Sequence, residues 1–180
     1  MKMRAALALV LVLLGACNEE AKDPTSTSSA DTKAEISCTG KPEVGKLASS
    51  FSLASVNGGR KMTIEKGKVT VIDFWATWCE PCKKSFPKYQ DLYTKYQANG
   101  LEVLAVSTDD EDNKIAGFIS AHGAKFPVGW DAEKKIADCY HPPNMPSAYV
   151  IDKTGTIRHI HTGFRDGEEK EIEKEIKELL

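Results

Sequence analysis

The 180 residues carry 24 basic and 26 acidic side chains, a net charge of −2, and 41% are hydrophobic. That length suits one folded domain with some chain to spare, and a near-balance of charge with no basic block argues against a nucleic-acid partner. Five cysteines are too many to leave unassigned, so the redox compartment is the first thing to settle.

Lys2 and Arg4 precede an apolar run over residues 5–16, a positive leader and a hydrophobic stretch shorter than the ~20 residues a membrane span needs. The run closes on Leu14-Gly15-Ala16-Cys17, which is similar to a bacterial lipobox. On that reading 1–16 is a lipoprotein signal peptide and Cys17 becomes an acylated mature N-terminus, held by several chains where one would bind weakly. Ordinary cleavage, with Cys17 left as a free thiol, is the alternative. Asn18 favours the outer over the inner membrane only in envelopes that sort by an aspartate at that place, so the choice of membrane stays open. Residues 17–40 are expected to be a lipidated flexible tether. Most of it is Ser, Thr, Ala, Lys, Asp and Glu without an aromatic residue, too little apolar area to offset the entropy of ordering. Cys38 stands where this tether meets a domain expected over 41–180.

Within that domain Asn57-Gly58-Gly59 signals a hairpin, with residues 61–65 returning as a short strand. Residues 69–75 (Val-Thr-Val-Ile-Asp-Phe-Trp) are β-branched and aromatic, fit for a buried central strand. Cys79-Glu80-Pro81-Cys82 follows, and then a helix carrying Phe86, Tyr89, Leu92, Tyr93 and Tyr96. Strand, Cys-x-x-Cys, helix is an arrangement with a mechanism. The first cysteine falls where unpaired N–H groups and the helix dipole favour an anion, which lowers its pKa and supplies the thiolate that attacks disulfides. Cys82, one turn on, can close an intramolecular disulfide and release the partner.

Residues 101–107 read as a second buried strand. Ile115, Phe118 and Ile119 lie at helical spacing with Gly123 as C-cap. Residues 126–130 form a short strand, and Asp131 is expected to cap a helix bearing Ile136, Ala137 and Tyr140. Residues 148–151 and 156–160 flank Asp152-Lys-Thr-Gly155 as a hairpin, and the final helix over 167–180 aligns Ile172, Ile176, Leu179 and Leu180. The order predicts a thioredoxin-like α/β fold, a mixed central sheet between helices with an N-terminal β-hairpin extension.

Asp-Phe-Trp-Ala-Thr-Trp-Cys-Glu-Pro-Cys-Lys83 closely resembles the active-site signature of the thioredoxin superfamily. With Met145-Pro-Ser-Ala-Tyr-Val-Ile-Asp152 it looks most like the TlpA/ResA-like thiol-disulfide oxidoreductases of bacterial envelopes. Residues 44–53 resemble the N-terminal extension of the TlpA and peroxiredoxin branches, and Pro87 matches the proline that kinks the family's active-site helix. The resemblance implies Cys79 as nucleophile, Cys82 as resolving thiol, and Asp73 as the buried carboxyl that exchanges a proton with Cys82. Burial should raise the pKa of Asp73. It implies a cis peptide at Met145–Pro146, lying against the Cys-x-x-Cys and pairing with an extended substrate, while Trp78, Glu80 and Pro81 shape the site. Pro81 suits a helix start. Glu80 sets a negative charge beside the thiolate, which favours a reductant over an oxidant. Two departures stand out: many TlpA-like sequences carry Asn where this one has Asp73, and many have Glu where Ser85 stands.

Four cysteines after lipidation suggest two disulfides in an oxidising envelope: the catalytic pair, and Cys38–Cys139 as a staple packed under the Ile136/Tyr140 helix and hard to reach. Cys139 as an ordinary buried thiol is the other reading. His159 and His161 share a strand face and read as surface residues rather than metal ligands. Neither a metal nor a cofactor is expected. The expected function is reduction of disulfides in envelope proteins by a monomer that faces the periplasm from its lipid anchor, recharged by an electron donor the sequence does not name. Two other classes compete. A copper metallochaperone would usually carry Cys-x-x-x-Cys, one residue longer than here, and a thiol peroxidase would want Thr where Ala76 stands.

Overall fold

The computed structural model describes residues 34–180. Cys17 and the expected signal peptide lie outside them. A three-stranded antiparallel sheet is formed by β1 (Glu35–Ser37), β2 (Ser50–Ala54) and β3 (Lys61–Met62). The main sheet has five strands: β4 (Val69–Trp75), β5 (Leu101–Ser107), β6 (Val128–Trp130), β7 (Ser147–Ile151) and β8 (Ile157–Thr162), in the order β6-β5-β4-β7-β8. β4, β5 and β6 run parallel, β7 runs antiparallel to β4, and β8 runs antiparallel to β7. Among the described residues there are four α-helices, α1 (Glu80–Tyr96), α2 (Ile115–His122), α3 (Lys135–Tyr140) and α4 (Glu168–Leu179). This is the mixed sheet between helices that the hydrophobic periodicity predicts.

The two faces of β4 sort its side chains by the two-residue alternation of a strand. Ile72 and Phe74 join one core with Leu53, Met62, Ile136 and Tyr140. Val71 and Trp75 join the other, with Phe86, Tyr89, Phe118 and Ile172. Asp73, between Val71 and Trp75 in that alternation, therefore projects onto the face covered by α1 and α4. Every residue of β4 is buried, as a central parallel strand requires.

Three expectations shift. β1 falls inside the stretch read as tether, and pairs Ile36 with Phe51 of β2. The return strand shortens to Lys61–Met62, and the turn before it is tied to the main sheet by Asn57, whose side chain accepts from Val128 N at 2.9 Å and donates to Phe126 O at 2.9 Å. The small sheet thus docks on the edge of β6, where a Cβ on Gly129 would collide with Leu53 and Met62; only glycine admits that approach. Asp131 does serve α3, but from a distance. The helix begins at Lys135 behind a left-handed Lys134, and Asp131 Oδ2 reaches over to accept from Ala137 N at 2.8 Å.

Candidate active site

β4 delivers the chain to the C-terminal edge of the sheet, and α1 starts there at Glu80. Cys79 is the side-chain N-cap of α1: its Sγ accepts from Cys82 N at 3.2 Å, the place where the helix field favours a thiolate. Pro81 occupies the first turn, where its missing N–H costs nothing. Cys79 and Cys82 are joined as a disulfide with Cα atoms 5.3 Å apart, so the structure is that of the oxidised form. Cys82 is fully buried and Cys79 nearly so. Trp78 beside them is 70% exposed, a large apolar ring presented to whatever approaches Cys79. The peptide Met145–Pro146 is cis, and Thr108 Oγ1 lies 3.9 Å from Met145 Sδ while it also donates to Trp75 O at 3.2 Å. Pro87 is inside α1.

Asp73 is wholly buried and neither carboxyl oxygen has a hydrogen-bond partner. Burial pushes its pKa well above the usual carboxylate range, the direction the sequence predicts, because no charge or donor offsets lost hydration. It shares the α1-covered face with Cys82 and with Ser85, whose Oγ is spent on Cys82 O at 3.2 Å. Asp73 therefore keeps its proton to higher pH than an exposed aspartate does.

Glu80 is not the bare charge that the sequence suggests. Its carboxylate lies 2.6 Å from Lys83 Nζ, and the hydrogen bond from that lysine lowers the Glu80 pKa. The i, i+3 spacing on a helix brings the two together, so the field of Glu80 at Cys79 is largely offset.

The sequence reading missed Asp109. This aspartate, 5% exposed, lies just beyond the end of β5 and clamps the loop before Cys79. Its carboxylate accepts from Thr77 N at 3.0 and 3.1 Å, from Thr77 Oγ1 at 2.7 Å and from Ser107 Oγ at 2.8 Å. Its backbone oxygen accepts from Trp130 Nε1 at 2.9 Å and Lys134 Nζ at 2.8 Å. The available signal was an acidic run, Asp109-Asp110-Glu111-Asp112, at the carboxyl end of a buried parallel strand, where open α/β sheets gather functional groups. Thr77, Trp78 and Asp109 also line a cavity of about 350 Å³ beside the nucleophile.

Cys38 and Cys139 are brought together, Cα atoms 5.6 Å apart and joined as a disulfide. Cys139 is buried among Ile136 and Tyr140, but Cys38 is exposed, so one end of this bridge is open to solvent rather than packed away. His161 is not the surface histidine expected: its Nε2 lies 2.8 Å from Glu175 Oε2 on α4. Among the described residues no cluster of ligating side chains is arranged to hold a metal ion, and no helix is long and apolar enough to cross a membrane.

Comparison with known proteins bears on the same residues. Residues 44–160 match the AhpC/TSA family. The chain is 36% identical over 119 residues to the thiol-disulfide oxidoreductase ResA of Bacillus thuringiensis (strain Al Hakam), covering 65% of this chain and 68% of that protein. It is 33% identical over 120 residues to ResA of Bacillus subtilis (strain 168), 66% of this chain and 67% of that one. A crystal structure from Chlorobium tepidum, provisionally named as a thiol:disulfide interchange protein DsbE, superposes with a TM-score of 0.72 at 31% identity, covering 77% of this chain and 98% of that one. StoA from Bacillus subtilis shares the fold at a TM-score of 0.62 and 23% identity, covering 72% and 97%.

Proposed function

We propose that this chain, which belongs to the AhpC/TSA family and is a ResA-like thiol-disulfide oxidoreductase of the thioredoxin superfamily, reduces disulfides of extracytoplasmic proteins while held to a membrane by lipid on Cys17. The observation that carries the reading is Cys79 as the side-chain cap of α1, with Cys82 one turn inside and the cis Met145–Pro146 peptide in the same structure.

The reaction runs from the dithiol. The Cys79 thiolate, favoured by the N-terminus of α1, attacks one sulfur of a client disulfide; that bond breaks, the client's other sulfur leaves as a thiolate that takes a proton from solvent, and a mixed disulfide forms. Asp73 takes the proton from the buried Cys82 thiol. The Cys82 thiolate attacks Cys79 Sγ, breaking the mixed disulfide and closing Cys79–Cys82. Two electrons have passed to the client, whose second sulfur leaves as a thiolate. Asp73 serves the closing half of this cycle, which releases a reduced client, and by reversal it can serve the reopening. A dithiol donor must then reopen the Cys79–Cys82 bond. Exposed Trp78 and the backbone at Met145 are the surfaces a client segment would meet. Cys38–Cys139 has no part in the cycle, since Cys139 packs in the core on the opposite face of the sheet; it acts as a staple.

Cys79→Ser should abolish reduction of insulin disulfides, whereas Cys82→Ser should stall as a mixed disulfide with its client. An exchange of these phenotypes would reverse the assignment of roles. The anchor is tested separately: Cys17→Ala should move the protein into the soluble fraction with the activity of its domain intact. Retention on membranes after carbonate washing would remove the lipid from the account.

A further inference from the structure

Between closing and reopening of the disulfide the proton taken up by Asp73 either waits there for Cys82 or leaves for solvent, and Asp73 is sealed. We propose that His161 and Glu175, set across Ala148 from Asp73 and beside Tyr89, form the outlet through which that proton reaches solvent. The inference rests on the proton-acceptor role of Asp73 given above.

Sheet register supplies the first part. Asp73 of β4 pairs with Ala148 of β7, and Ala148 pairs with His161 of β8. The three form one cross-strand row, so their side chains share a face. With strands about 4.8 Å apart, the His161 backbone lies roughly 10 Å from that of Asp73, and the residue between is only a methyl group. Tyr89 of α1 is buried over this same face. Burial, then the charges of Asp73, Glu168 and Glu175 in that order, raise its pKa well above the ordinary value; its hydroxyl thus lies within the electrostatic reach of both ends of the row.

Contacts and exposure supply the second part. His161 Nε2 is 2.8 Å from Glu175 Oε2, His161 Nδ1 is 3.4 Å from Glu168 Oε1, and His159 Nδ1 is 3.1 Å from Glu175 Oε1. Side-chain exposure climbs along this cluster from 10% at His161 and Glu175, through 17% at Glu168, to 37% at His159. From His161 outward these are exchangeable groups in contact, graded from sealed to wet, as a proton path needs; the span from Asp73 past Ala148 carries no such bond. A bond that merely fastened α4 to β8 could be apolar, and buried carboxylates and imidazoles are costly where they do nothing else. The groups facing the row are Cys82 and Tyr89 from α1, Glu168 and Glu175 from α4, and His159 and His161 from β8. In the step itself no electrons move: Cys82 loses a proton to Asp73, Asp73, which has no hydrogen-bonded protein partner, passes it through an intervening water to the His161–Glu175 pair, and that pair releases it to water.

The test compares full-length wild type, His161→Gln, Asp73→Asn and the double variant in steady-state disulfide reduction from pH 5.5 to 9, with melting temperatures measured alongside. His161→Gln should lower kcat about threefold to tenfold, a modest share of ordinary acid–base catalysis, with KM for the client unchanged and the pH profile displaced. Added imidazole should restore the rate, and in the Asp73→Asn background the same substitution should have no further effect. Glu175→Gln keeps the shape of the site and should slow turnover in the same way, so the reading survives if His161→Gln folds poorly. If kcat and the pH profile of both single variants match wild type, or if the loss in His161→Gln persists undiminished without Asp73, the outlet is wrong and the cluster is only a fastening. If Asp73→Asn alone leaves turnover untouched, the acceptor role itself has failed, a different and separable result.

Discussion

Two aspartates flank the active-site turn, both buried, and they could hardly be treated more differently. Asp109 receives donors at every turn, from Thr77 N, Thr77 Oγ1 and Ser107 Oγ. Asp73, fully enclosed, receives none. Burial by itself therefore says little about role. A carboxylate whose lone pairs are filled by donors from neighbouring segments is a mechanical clamp. A carboxyl group without partners has nothing to hold it in either state except desolvation, and such a group is free to trade a proton. Asp131 lies between these extremes, with one oxygen bonded to Ala137 N and the other unpaired.

That contrast can be broken at either side. The largest effect is expected at the clamp. Asp109→Ala strands three donors in a buried loop and should cost about 3 kcal/mol in a urea melt, with turnover falling as Thr77, Trp78 and Cys79 lose their tie. A loss below about 0.5 kcal/mol, the range of an ordinary surface substitution, would show the bonds to be ornamental. Asp73→Asn should do the reverse. Turnover should fall by about tenfold, roughly 1.4 kcal/mol of barrier, while the oxidised protein becomes more resistant to urea at pH 7.5.

The pH dependence of that gain carries its own sign. The folded pKa of Asp73 is raised above the ordinary 3.8, so between the two values the native state holds a proton that the unfolded chain has released. Stability due to this group is complete below about pH 4 and is lost as pH rises through the folded pKa, at up to about 1.4 kcal/mol per pH unit. Subtracting Asp73→Asn from wild type in melts between pH 4 and pH 8 isolates the slope. A flat difference would mean that Asp73 ionises in the native state as readily as in the unfolded one. The smallest effect belongs to Thr77→Val, which removes one hydroxyl donor from Asp109 but leaves the backbone bond; about 1 kcal/mol of stability should go, with the pH profile of turnover unmoved.

The legible parts of this molecule were those written in local chemistry. The seven-residue strand at Val69–Trp75, the cysteine at a helix start, Pro81 in the first turn and the terminal helix with Ile172 and Ile176 inward follow from periodicity and capping alone. The burial of Asp73 and the upward direction of its pKa were readable too, since it lies inside a β-branched run; that neither oxygen would find a donor was not. What could not be read depends on distant segments meeting. Thr77 and Asp109 are 32 residues apart in sequence, and their bond exists only because parallel β4 and β5 end side by side. The pairing of Glu175 with His161 and His159 needs α4 to lie across β8, and from sequence Glu175 is one more acid in the charged helix Glu168–Leu179. Lys83 was in plain view at i+3 from Glu80, and weighing the lone charge without it overstated the effect on the thiolate.

The bridge from Cys38 to Cys139 governs how this molecule answers to mechanical load. A pull on the chain ahead of Cys38 meets the short ladder of β1 on β2 first, and strips it. The force then passes through sulfur directly into α3, and the 101 positions separating the two cysteines are removed from the path. Nucleophile, resolving cysteine, Asp73 and Asp109 all lie inside that shielded loop. In a force–extension trace the reduced protein should release roughly 350 Å more contour length than the oxidised one, at ~3.5 Å per residue.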